Sequence, residues 1–181
     1  MHKFWHRLKN KKGFSGPWVV VVALIGIMLF TVISQYIRLM TIAAGVKDAV
    51  QSAVISASVS NWVNVYPCIR EGYAGGYKYT SGSWNERMTS GNIYGRLSNL
   101  LGLKYSGGKY VSTTDDGVEY AVYGLSVHID NSPFAPGNTN GIQEFQATSK
   151  ITLEVPLSFG GDILPPMKVD LLVKSKYMPK F

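Results

Sequence analysis

Apolar and polar positions along this chain follow three successive patterns. The first is an uncharged run over residues 13–37, within which 18–33 (WVVVVALIGIMLFTVI) is almost wholly apolar. A helix rises about 1.5 Å per residue, so roughly 20 such residues cross a hydrocarbon core of about 30 Å. The pattern predicts a transmembrane helix over 14–37. Its few polar atoms fit: Thr31 and Ser34 can return their hydroxyls to carbonyls one turn back, and Gln35 lies near one end. Gly16 or Ser15 can cap the helix, and Pro17 suits its first turn, where the missing N–H is no loss.

The second pattern continues the helical period but makes it one-sided. Leu39, Ile42, Val46, Val50, Ala53 and Ala57 recur at spacings of three and four, while Arg38, Lys47, Asp48, Gln51 and Ser52 take much of the other surface. This predicts an amphipathic continuation of the same helix over 38–61, with Pro67 ending it. Residues 72–82 (GYAGGYKYTSG) keep no period and read as a loop, and 92–103 reads as a short helix stopped near Gly102 or Gly107-Gly108.

In the third pattern the period drops to two. Residues 118–129 form a strand with Gly124 marking a bulge between two registers, and 145–159 and 167–177 supply two more strands. A further short strand is expected at 109–113, with a loop at 133–141 and an apolar-tipped turn at 160–166. The fold class is α+β: a long N-terminal transmembrane and amphipathic helix packed on a small antiparallel β-sheet. Residues 62–181 are expected to form a single small domain.

Charge adds an orientation. The chain of 181 residues has a formal charge of +7, and Lys3, Arg7, Lys9, Lys11 and Lys12 supply five of its positive groups before the apolar run begins. By the positive-inside rule, residues 1–13 are a basic cytoplasmic leader and everything after the span is extracytoplasmic. The remainder has 13 Lys and Arg against 11 Asp and Glu, with no basic stripe, which argues against a nucleic-acid partner. The lone Cys68 has no internal disulfide partner and reads as an unpaired, partly buried thiol.

Candidate chemistry is sparse. His2 and His6 belong to the leader, and His128 alternates with Val127 and Ile129, which places it opposite the core face. Asp115-Asp116 sits in a Thr-Thr-Asp-Asp-Gly turn without calcium-loop spacing. Phosphate loop, nucleophile elbow and Cys/His ligand spacings are missing from the sequence, so no catalytic, cofactor-binding or metal site is assigned and the expectation is a structural protein.

Lys11-Lys12-Gly13-Phe14, followed by a hydrophobic helix, an amphipathic continuation and a small sheet, resembles the type IV pilin and pseudopilin superfamily. Within it the likeness is to TadE-like minor pilins or pseudopilins, carried by 150–159 (KITLEVPLSF), by Ile163-Leu164-Pro165 and by 168–176 (KVDLLVKSK). The resemblance implies leader cleavage by a prepilin peptidase between Gly13 and Phe14, and association with other pilin-like subunits through the N-terminal helix. Close helix packing would run through Gly26, Ala43, Ala44, Gly45 and Ala49. Where the family has Glu at the fifth position after the cut, this chain has Trp18, which suits a tip, initiating or accessory subunit of a pilus or secretion machine better than a major repeating one. The rival expectation is an uncleaved single-pass accessory protein of an envelope or conjugation complex. A third, a signal peptide cut after Ala43, is opposed by the long span and by Arg38 ahead of that position.

Overall fold

A computed structural model of the chain describes residues 15–60, 75–115, 117–132, 144–159 and 162–178. Gly13, Phe14, Pro67, Cys68 and the expected 133–141 loop lie outside the described residues. The chain divides into two compact units, Met1–Thr41 and Ile42–Phe181. Helix α1, Ser15–Val59, is one uninterrupted element of 45 residues that begins in the first unit and ends in the second. Pro17 stands within its first turn, where the orphan N–H positions are.

Among the described residues, the second unit comprises α1's later residues, a short helix α2 (Ser90–Leu101) and seven strands: β1 (Tyr77–Thr80), β2 (Ser83–Glu86), β3 (Lys104–Ser106), β4 (Lys109–Thr114), β5 (Gly117–Asn131), β6 (Phe145–Phe159) and β7 (Asp162–Tyr177). β1 and β2 form a separate two-stranded hairpin, and the other five make an antiparallel sheet in the order β3-β4-β5-β6-β7. The class is therefore α+β, a long N-terminal apolar helix with an antiparallel meander.

Alternation decides which face is core. Along β6, Phe145, Ala147, Ser149, Ile151, Leu153 and Val155 are buried, while Gln146, Thr148, Lys150, Thr152 and Glu154 take the other face. Buried likewise are Val122, Leu125 and Val173 on neighbouring strands, Ile93 and Leu97 of α2, and Val46, Val50, Ala53 and Val54 of α1. Small residues on the inner face, Ala147, Ser149 and Ser175, are nearly inaccessible.

Local signals explain α2. The Thr89 hydroxyl accepts from the Asn92 N–H at the start, and Gly102, at φ 65°, ends the helix by turning left-handed so that its N–H reaches the Ser98 carbonyl. Gly124, at φ 67°, coincides with the register shift between Tyr123 and Ser126 on β5, as the sequence suggests.

Three expectations need correction. The segment 72–82 is not all loop: its described part enters the β1–β2 hairpin, because aromatic residues favour extended backbone and Ser81 (φ 54°) and Gly82 (φ 85°) make a two-residue turn with both φ positive. Strand β3 was not anticipated; it pairs with β4 across Gly107 and Gly108, at φ 58° and 79°. The turn expected at 160–166 is shorter, since β7 starts at Asp162, which pairs with Phe159. Pro165 and Pro166 are accommodated on the terminal strand, opposite the register shift between Val155 and Leu157, where a missing donor is tolerated.

Candidate membrane and assembly surface

The outstanding surface of the first unit is apolar. From Trp18 to Met40, sixteen large apolar or aromatic side chains of α1 are exposed, Phe30 to 73% and Trp18 to 65%. Covering such a side chain gains about 1.5–3 kcal/mol. Sixteen of them outweigh the roughly 5–15 kcal/mol net stability of a folded domain, so lipid or protein must cover this helix. It is long and apolar enough to cross a bilayer, and none of its most apolar window is buried. The Thr31 and Thr41 hydroxyls donate to the carbonyls of Ile27 and Ile37, at 2.9 and 3.0 Å, which removes two unpaired donors from the helix surface.

The residues expected to bring helices together divide into two groups. Gly26 and Gly45 have open space where a Cβ would stand, and Ala44 is exposed. Ala43 and Ala49 are half-buried, on the flank of the stripe that carries buried Val46 and Val50. The former three are available to a neighbour; the latter two are partly used by the chain itself. Gly13 and Phe14 lie outside the described residues.

In the second unit the outer face of the sheet is a lattice of charge pairs. Lys109 Nζ donates to both oxygens of Glu154, at 2.8 and 2.9 Å, and stands 5.0 Å from the Tyr123 ring centroid. Lys168 approaches the same carboxylate at 3.9 Å, and Lys176 approaches Glu144 at 3.9 Å. The Thr152 hydroxyl and the Lys150 ammonium hold the Asp170 carboxyl below its ordinary value, chiefly through the Thr152 hydrogen bond. Asp130 accepts from Thr148 at 2.6 Å, beside an open depression lined also by Gln146, Lys174 and Lys176. Lys109, Lys150, Lys168 and Lys176 thus each have a carboxylate partner on this face.

One polar contact ties α2 to the sheet. The Leu125 N–H, next to the bulge glycine, donates to the Tyr94 hydroxyl at 2.9 Å, and the Tyr94 ring stacks on Tyr110 with centroids 4.2 Å apart. Burial pushes the Tyr94 phenol up, and the Leu125 N–H opposes the shift. Sequence reasoning did not single out Tyr94; its spacing within an apolar run signals a core position but not a hydroxyl aimed at a bulge.

His128 is exposed on the outer face, and no cluster of metal-ligating side chains occurs among the described residues. No family model, curated protein or solved structure matches this chain.

Proposed function

We propose that this chain is a membrane-inserted, pilin-like subunit of TadE type, a structural component of a pilus or secretion machine. The observation that carries this reading is α1: a single helix whose first part is clothed in exposed apolar side chains and whose last part contributes Val46, Val50, Ala53 and Val54 to a small sheet domain. A helix of that kind can exchange lipid for the helices of neighbouring copies without unfolding, because both surroundings are apolar and every internal backbone bond stays made. Open Gly26 and Gly45 give such neighbours room for close approach. In this reading residues 1–13 stay in the cytoplasm until a prepilin peptidase removes them, and the sheet domain lies outside.

N-terminal sequencing of protein taken from membranes and from sheared surface material tests the proposal. A start at Phe14 supports it. An intact Met1 in both fractions overturns it in favour of a permanently anchored accessory protein, and a start at Ala44 means a secreted domain.

A further inference from the structure

The five-stranded sheet has two unlike edges. On one side β7 is the terminal strand, 16 residues long and paired only with β6. On the other side β3 covers only half of β4: Lys104, Tyr105 and Ser106 pair with Val111, Tyr110 and Lys109, and Ser112, Thr113 and Thr114 have no β3 partner. Because every pairing is antiparallel, β3, β5 and β7 run one way and β4 and β6 the other. Two copies set side by side in the same orientation therefore present β7 of one antiparallel to β4 of the next.

Sterics limit the register. The column beside β4 is already filled by β3 from Lys104 onward, so an incoming β7 must end below Lys104 and lie only against Ser112–Thr114. The register that uses all three free residues of β4 pairs Ser175 with Thr114, Lys176 with Thr113 and Tyr177 with Ser112, so that β7 continues the column that β3 begins. The same register sets Asp115, exposed at the β4–β5 turn and without an ion pair among the described residues, beside Lys174. Lys174 is the lysine of β6 and β7 that has no carboxylate within ion-pair distance among the described residues.

We propose that the end of β7, at Lys174–Tyr177, seats the uncovered end of β4 from a second copy of this chain, with Asp115 of that copy against Lys174. The contact is head to tail, so it does not close on itself and propagates along a row of copies. Lysines on a terminal strand discourage indiscriminate pairing, and an acidic turn relieves that repulsion selectively. Three residue pairs bind weakly alone; the contact matters where helices already hold copies at high local concentration. It thus rests on the assembly reading above.

The test uses the full chain in membranes with Cys68→Ser, Thr113→Cys and Lys176→Cys combined. Oxidation yields a ladder of disulfide-linked oligomers, which neither cysteine alone produces. Asp115→Lys or Lys174→Glu, each added to that background, lowers ladder yield by on the order of three- to tenfold, the effect of turning a surface attraction into repulsion. Mixing the two charge variants restores it, since each then meets an opposite charge. No ladder, or a ladder indifferent to both charge changes and to mixing while melting is unchanged, overturns the proposal. A chain that starts at Phe14 and associates without a ladder leaves the assembly reading standing; one that keeps Met1 and never associates removes both.

Discussion

Tyr94 shows how much one hydroxyl does in the sheet domain. The bulge at Gly124 takes the Leu125 N–H out of the ladder, and the phenol accepts it. Tyr94→Phe keeps the ring stack on Tyr110 but leaves that N–H unpaired, a loss of about 1–3 kcal/mol read as a lower denaturant midpoint at unchanged slope. Titration adds a second signature. A phenol whose folded pKa is raised above the unfolded value of 10.0 contributes stability that is complete below that value and is lost as pH rises through the folded one. Stability of the native chain is therefore expected to fall above about pH 10, less steeply in Tyr94→Phe. Asp170 works in the opposite direction: its lowered pKa gives a contribution present above the ordinary 3.8 and lost as pH falls through the folded value. It lies on the exposed face, so Asp170→Asn should alter the acid limb of a pH–stability curve only slightly.

Glycines with positive φ punctuate the elements. Gly124 stands at φ 67°, and a Cβ there would meet nothing closer than the Thr152 hydroxyl at 3.7 Å. Gly124→Ala should therefore lose only the backbone preference, about 1–2 kcal/mol by thermal melting. Gly75→Ala is the contrasting case, since its Cβ would come within 2.9 Å of the Phe145 ring, and a larger loss is expected. These elements differ in how openly the sequence announces them. β6 was legible to its end residues because its inward positions alternate regularly and are apolar apart from the small Ser149. β3 was not, because Lys104-Tyr105-Ser106 is exposed throughout and offers no alternation; only the left-handed pair Gly107-Gly108 hints at a hairpin. The extension of β7 through Pro165 and Pro166 was hidden by residues that ordinarily argue against a strand, and a terminal strand facing a bulge removes the objection.

For the whole molecule, the exposed apolar run of α1 dictates behaviour. Detergent or lipid should be needed to keep the full chain dispersed, and Val22→Lys, which places a charge in the middle of the run, should strongly reduce membrane integration on alkaline extraction. Gly26→Leu and Ala44→Leu test close helix packing: reduced association in detergent is the expected result, whereas a solitary anchor is indifferent to both. The long apolar helix itself was plain in the sequence, because 25 residues without charge over 13–37 leave little alternative. Which small residues stay exposed was less legible, since Ala43 and Ala49 look the same in sequence as Ala44, and only burial separates those turned partly inward from the one left open.

Within the five-stranded sheet, every strand after β3 pairs with the strand that precedes it in the chain. A polypeptide delivered N-terminus first can therefore zip each new segment onto one already in place, with no early strand waiting for a late one. Such an order of events suits delivery from the N-terminus: each pairing joins strands that are neighbours in sequence, which keeps contact order low, and truncated intermediates expose only one growing border. Placing the C-terminal segment first by circular permutation would break this sequence of events, and refolding should then slow although the finished contacts are the same.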